Sequence, residues 1–474
     1  VLQLGGSLHN VQWGKVPLVF FTEVQEPLER RDWRDEPFDQ GMMVRNFVKW
    51  DHQLEHGEDI GEVFSQAFRI ATTEPCGPVY LTLPRGVLWD KGKTSAPKTY
   101  QATKEAPPKA DENALARAAE ILINAESPLV VTGYSGRNLD TVASLVKLAE
   151  TLAARVMTSD TRVNFPNTHP MAAYLSSAVG FGNPLLTQAD VILAIDYDMH
   201  YAAPTVSPDP GAKIIHIDID TVKKGVPLWD KKPDMLIKAD SSQAIPALTE
   251  IIKNKLTGER REQLKKRYET LAAEHNKLNG EWRKLAESHA SQKPITSHWL
   301  SYCIDKVIDD DTIIVNQTIS PVTTVAHLIH RSKPGTLLSC PGGCIGWAPG
   351  AALGAKLASP DKTVISLMGD GAFIYGCPEA TLWSANFYKA PFLAIIYDNQ
   401  GYGAIKGLFK ESYNVDNMGA DIASPPDYTM IARANNAYGR MVDNPAEVPG
   451  ALKECMDIVR GGQTAVLDVI LASV

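Results

Sequence analysis

Several absences narrow what this chain does. No apolar run approaches the roughly 20 residues that a membrane-spanning helix needs, so a role inside a bilayer is not expected. No block of Lys and Arg stands anywhere, and 47 basic against 55 acidic residues leave a formal net charge of −8. That balance argues against nucleic acid or an anionic membrane as partner. Cysteine is scarce, with six in 474 residues (Cys76, Cys303, Cys340, Cys344, Cys377, Cys455), and no two form a CxxC pair. Lacking the spacing of a zinc site or redox pair, they read as free thiols in a reducing compartment, and a cytoplasmic location is expected. No GxGxxG follows a strand-like run, which disfavours a NAD-dependent dehydrogenase. No internal repeat is visible. The chain opens on Val1-Leu2-Gln3 with no Met, tag or signal peptide, so organellar targeting stays open.

What is present is ample apolar material, 44% of residues, and a length that suggests two to four domains. One stretch organises the rest. Residues 364–368 form a short apolar run closed by Gly369-Asp370-Gly371, which predicts a buried strand ending in a tight turn. Pro378-Glu379 suits the first turn of a helix running to residue 388, and 392–397 is a second strand-like run. Strand, helix and strand at this spacing predict a right-handed βαβ unit with parallel strands. Asp370 and Asn399 then fall just past the carboxyl ends of two parallel strands, where their oxygens can converge if the strands are neighbours. Gly401 adds an uncrowded backbone carbonyl. One charged and two neutral oxygens suit a hard cation such as Mg2+ that also takes water and a phosphate. The amides of Gly369, Gly371 and Ala372, and of the segment reaching Tyr402, offer N–H groups to that phosphate. Gly-Asp-Gly alone is common in loops, but Gly-Asp-Gly, 26 residues, then Asp-Asn-Gln-Gly is far more specific.

This stretch resembles the cofactor motif of the thiamin diphosphate enzymes, the superfamily of acetolactate synthase, benzoylformate decarboxylase and pyruvate decarboxylase. Two departures are visible: Asp398 stands where the family has the first Asn of a pair, and Gln400 follows the retained Asn399. The resemblance implies metal ligation by Asp370, Asn399 and Gly401, with Thr318 and Ile319 flanking the diphosphate. It implies that the Gly343 carbonyl accepts a hydrogen bond from the aminopyrimidine. Ile345, 25 residues before Asp370, falls where the family places the apolar wedge that bends the cofactor; otherwise it is an ordinary core isoleucine. Gln3 matches a position often close to the cofactor. His200 fits the spacing of an active-site His in benzoylformate decarboxylase, but its surroundings equally resemble acetolactate-synthase-like members that have Pro there. The catalytic glutamate of the family is expected upstream of Val1.

The same resemblance implies an α/β chain of three doubly wound, mostly parallel domains. These are a pyrimidine-binding domain at 1–93 with its first portion outside this numbering, a middle domain at 113–275, and a diphosphate-binding domain at 290–474. Residues 94–112, rich in Lys, Pro and Ala, read as a linker. Strands are expected at 16–22 and 79–83, then at 128–132, 155–158, 191–195 and 213–217, and finally at 312–315 and 464–470. Gly133-Tyr134-Ser135-Gly136-Arg137 follows the first middle strand without nucleotide-binding spacing and is expected to be a loop, leaving FAD possible but unsupported. The charged stretch 257–287 is expected to be a helix with a solvated face. The implied function is decarboxylation or carboligation of a 2-oxo acid, with an aldehyde or second 2-oxo acid as co-substrate, in a homodimer or dimer of dimers. The alternative is a flavin- or nucleotide-binding protein of the same fold without thiamin chemistry.

Overall fold

The computed structural model describes residues 4–25, 39–89, 106–159, 161–173, 184–198, 208–223, 233–415 and 419–472. It divides into two compact units, residues 1–106 with 340–344, and residues 107–339 with 345–474. Among the described residues no helix is long and apolar enough to cross a membrane.

The smaller unit is built on three strands, β1 (Leu18–Val24), β2 (Trp50–Gln53) and β3 (Pro78–Pro84), all parallel in the order β1-β3-β2. Two were expected. The missed strand, Trp-Asp-His-Gln, pairs at an edge and carries no apolar run to announce it. Central β3 is buried along its whole length. Its alternation sends Val79, Leu81 and Leu83 toward the amphipathic helix Ile60–Thr72, while Tyr80 packs with Leu8 and Val44, as the period of two requires.

The larger unit holds two six-stranded parallel sheets. The first comprises β4 (Pro128–Thr132), β5 (Arg155–Thr158), β6 (Ala172–Ala173), β7 (Val191–Ile195), β8 (Lys213–Asp218) and β9 (Met235–Lys238), in the order β6-β5-β4-β7-β8-β9. The second comprises β10 (Ile313–Gln317), β11 (Leu337–Ser339), β12 (Val364–Gly369), β13 (Leu393–Asp398), β14 (Tyr438–Val442) and β15 (Ala465–Ile470), in the order β11-β10-β12-β13-β15-β14. The fold is therefore α/β with doubly wound parallel sheets. The central strands of each sheet are buried almost throughout, which is why they read as continuous apolar runs rather than alternating ones. β6, β9, β11 and β14 were not foreseen: they are short edge strands, and three of the four are partly exposed.

The charged helix spans Gly258–Ser288 and runs past residue 275, where the middle domain was expected to end. It is more than a solvated face. Arg260 donates to the carbonyls of Ile123 and Ala125, and Arg267 to those of Ala125, Glu126 and Leu152. Two basic side chains thus satisfy carbonyls at the ends of the helices Glu112–Asn124 and Leu139–Leu152, which those helices cannot satisfy themselves.

Candidate functional site

The chain order of the second sheet reverses direction between β10 and β12, and such a switch point leaves a crevice beyond the carboxyl ends of the strands. Thr318 and Ile319 follow β10, Gly369–Ala372 close β12, and Asn399–Tyr402 follow β13. Since Gly369 is in register with Tyr397, Asp370 and Asp398 occupy neighbouring strand tips. The two halves of the expected motif therefore meet. Gly369-Asp370-Gly371 is not a free turn, however. Asp370 opens a short helix, Asp370–Tyr375, pinned into the core by Phe373.

Asp370 is 1% exposed, and each of its oxygens accepts one backbone amide at 2.8 Å: Oδ1 from Gly371, Oδ2 from Gly401. The Gly401 bond folds the segment after β13 back onto the tip of β12. That segment is held from its other side as well. Tyr402 N–H donates to Ala420 at 2.8 Å, Ile422 N–H donates to Gln400 at 3.0 Å, and Lys406 pairs with Asp421 at 2.5 Å. Gln400 takes the left-handed conformation that this reversal needs, φ 57°. Gly401 has no room for a side chain, because a Cβ there would come within 2.6 Å of the Ala420 carbonyl. At Gly371 a Cβ would meet the Tyr402 ring at 2.5 Å. Thr318 is buried and gives both its N–H and its hydroxyl to Asn316 Oδ1, at 3.0 and 2.8 Å; Ile319 is 40% exposed. Asn399 is half-buried.

The electrostatics of this corner are unusual. Burial pushes the Asp370 carboxyl up to about 7, with neighbouring Asp398 adding to the shift against the pull of the two amides. Asp468, on β15, is pushed up to about 8 by burial together with Asp398 and Asp370. Among the described residues no Lys, Arg or His pairs with any of these three, and Asp468 Oδ1 has no hydrogen-bond partner at all. Buried carboxylates without a counter-charge are costly, so the donor set fits a hard cation. No three His, Cys, Asp or Glu side chains converge as a metal set among the described residues. A cation here would need neutral oxygens of the kind Asn399 and Gly401 carry.

The remaining expected positions are placed as follows. Ile345 is half-buried against the core that contains Ala348 and Phe373. Its neighbour Gly346 is left-handed, φ 85°, and sits so close to Tyr375 and Gly376 that a Cβ would meet them at 2.9 Å. Gly343, φ 72°, belongs to the 340–344 segment of the smaller unit. Buried Asn10 secures that segment, donating to the Cys344 carbonyl and accepting from Cys344 N–H and the Cys340 thiol. Gln3 and His200 lie outside the described residues. Sequence reasoning passed over Asp468, Asn10 and the charge that Asp398 adds. Asp468 did leave a signal, a lone acid inside the apolar run Ala-Val-Leu-Asp-Val-Ile.

The middle sheet has its own switch point, between β4 and β7. There the Gly133–Arg137 segment forms a one-turn helix at Ser135–Arg137. A Cβ on Gly136 would strike the Val163 carbonyl at 2.3 Å, so this glycine admits the chain's own backbone. Arg137 pairs with buried Asp196 at 2.5 Å.

Two family models match the chain. The central domain of thiamine pyrophosphate enzymes covers residues 115–248, and their C-terminal TPP binding domain covers residues 320–469. A benzoylformate decarboxylase of Pseudomonas aeruginosa is 28% identical over 436 residues, 88% of this chain and 75% of that protein. A probable acetolactate synthase large subunit of Methanocaldococcus jannaschii is 26% identical over 448 residues, 90% of this chain and 71% of that protein. Among solved structures, a thiamine diphosphate-dependent 4-hydroxybenzoylformate decarboxylase of Rhodococcus jostii superposes with a TM-score of 0.79 at 23% identity, covering 99% of this chain and 85% of the other. That last likeness is one of fold. Fold, strand-end carboxylates and family matches together make this a cofactor-dependent α/β enzyme. The chain belongs to the thiamine pyrophosphate-dependent enzyme superfamily.

Proposed function

We propose that this protein uses thiamin diphosphate and Mg2+ to decarboxylate 2-oxo acids, to ligate them to a second carbonyl compound, or both, in the manner of benzoylformate decarboxylase and acetolactate synthase. The observation that carries this reading is Asp370, buried at a strand tip, tied to Gly401 and without a counter-charge among the described residues. In this reading Asp370, Asn399 and the Gly401 carbonyl hold the metal. Gly369, Gly371, Ala372, Thr318, Ile319 and Tyr402 border the diphosphate, and the Gly343 carbonyl takes the aminopyrimidine hydrogen bond. Ile345 enforces the bend between the rings. When bound, the cofactor supplies a nucleophilic carbon and a sink for the electron pair released with CO2. The protein's part is to anchor, orient and exclude water. The active unit is a homodimer or a dimer of dimers.

The test is a titration of the protein with thiamin diphosphate, with and without Mg2+, followed by product analysis on pyruvate and benzoylformate with and without an added aldehyde. Metal-dependent cofactor binding with CO2 release supports the reading. No cofactor binding at any metal concentration overturns it. A second reading, nucleotide or flavin binding without thiamin chemistry, is favoured by the middle sheet's strand order, which matches that of dinucleotide-binding folds. Flavin absorbance in the purified protein would support it.

A further inference from the structure

We propose that a cavity between the middle and C-terminal sheets of the larger unit binds a small carboxylate with a short apolar body, anchored by Arg331. The cavity measures about 80 Å³. A single water needs about 10–15 Å³, so there is room for a group of several heavy atoms. One wall comes from β5, β6 and the loop between them, the other from β10 and the helix Val322–Leu328 with the chain that follows it. Most of the lining is aliphatic. The polar exceptions are Thr158, Ser159, Asn167, Asn316, Arg162 and Arg331, with no Asp or Glu among the lining residues.

Arg331 is 3% exposed. Its backbone N–H donates to Asn167 Oδ1 at 2.7 Å and its Nη2 donates to the Asp309 carbonyl at 3.0 Å. Nε and Nη1 have no hydrogen-bond partner among the described residues. Burial draws the guanidinium pKa down, opposed by the more distant charges of Asp310, Asp305 and Asp309. A buried guanidinium with idle donors, in a cavity whose lining holds a second arginine and no acid, is short of one anion. The aliphatic walls select an anion that carries hydrocarbon over a fully hydrated inorganic one.

This site is separate from the strand-tip carboxylates, and its test runs without cofactor or metal. Calorimetric titration uses isobutyrate and inorganic phosphate as separate probes against the wild-type protein. Saturable isobutyrate binding is expected, tighter than that of phosphate. It should weaken by at least about tenfold in Arg331→Met, and equally in Ala326→Leu, which fills the cavity from the helix wall and keeps Arg331. Should Arg331→Met fail to fold, Ala326→Leu decides. Absence of saturable isobutyrate binding to the wild type, which is the outcome if the cavity holds water only, overturns the proposal. So does undiminished binding in the folded variants, or phosphate binding more tightly than isobutyrate.

Discussion

At the carboxyl edge of the middle sheet, Asp218 meets Lys223 Nζ at 2.6 Å and the Tyr134 hydroxyl at 2.7 Å, while Asp198 meets the same lysine at 2.9 Å. At the carboxyl edge of the C-terminal sheet, Asp370, Asp398 and Asp468 are just as deeply buried, but Asp370 and Asp398 meet backbone amides and each other's carboxyl, and Asp468 Oδ1 meets no partner among the described residues. Burial works against ionisation in both places. In the first, His216, Lys223 and Tyr134 overcome it and hold the Asp218 carboxyl well below the usual carboxylate range. In the second, no basic side chain among the described residues offsets it, and Asp370 and Asp468 stay up near neutrality despite the two amides on Asp370. Parallel sheets of the same size thus carry one buried carboxylate cluster that includes a lysine and one that has no basic partner among the described residues.

That contrast can be broken from either side. The largest effect is expected from Asp370→Ala, which removes the one charged ligand proposed for the metal. Cofactor affinity should fall beyond the roughly 10–100-fold that follows loss of an outer-shell partner, read by equilibrium titration in the presence of Mg2+; unchanged affinity would refute the assignment. Lys223→Met leaves buried Asp218 without its cation and should cost about 3–5 kcal/mol of stability, measured by urea unfolding, with thiamin diphosphate affinity unaltered. A loss of cofactor affinity instead would show that the middle cluster is not self-contained.

The pH dependence separates the clusters by sign. In the metal-free protein, native Asp370 and Asp468 keep protons that the unfolded chain gives up near the ordinary 3.8. Folded-state pKa values raised in this way mean that stability falls as pH climbs from about 5 through about 8, by an order of a few kcal/mol. Asp218 works the other way: its contribution is complete above the ordinary carboxylate pKa and is lost only as pH falls below it. Urea midpoints across pH 5–8, with and without Mg2+, should show a slope that the cation flattens. The smallest effect is expected from Ile345→Ala. Cofactor affinity should hold while turnover drops by about 10- to 100-fold, the scale of a small misplacement of reacting groups. Unchanged turnover would reduce Ile345 to a core side chain.

Strands that are buried on both faces were legible because burial writes a continuous apolar run, as in Val364–Gly369 and Leu393–Asp398. β2, β6, β9, β11 and β14 were not, since short edge strands pair through backbone atoms and need no such run. The Gly-Asp-Gly and Asp-Asn-Gln-Gly segments could be linked from spacing alone, and the strand register brings them side by side. The Gly258–Ser288 helix was legible as a helix, but its two carbonyl-capping arginines were not, because their partners lie more than a hundred residues away in sequence.

The sequence by itself determined the alternation of strands and helices and the pairing of Asp370 with the 399–401 segment, which rest on local apolar periodicity and fixed spacing, and its motif residues carried the resemblance to the family. Only the tertiary structure decided which buried charges find partners. Lys223 reaches Asp218 within a single loop, whereas Asp468 joins Asp370 and Asp398 through a sheet order that brings together strands far apart in the chain. Charge neutralisation depends on distances of a few ångströms between side chains, and the order of residues along a chain does not contain those distances.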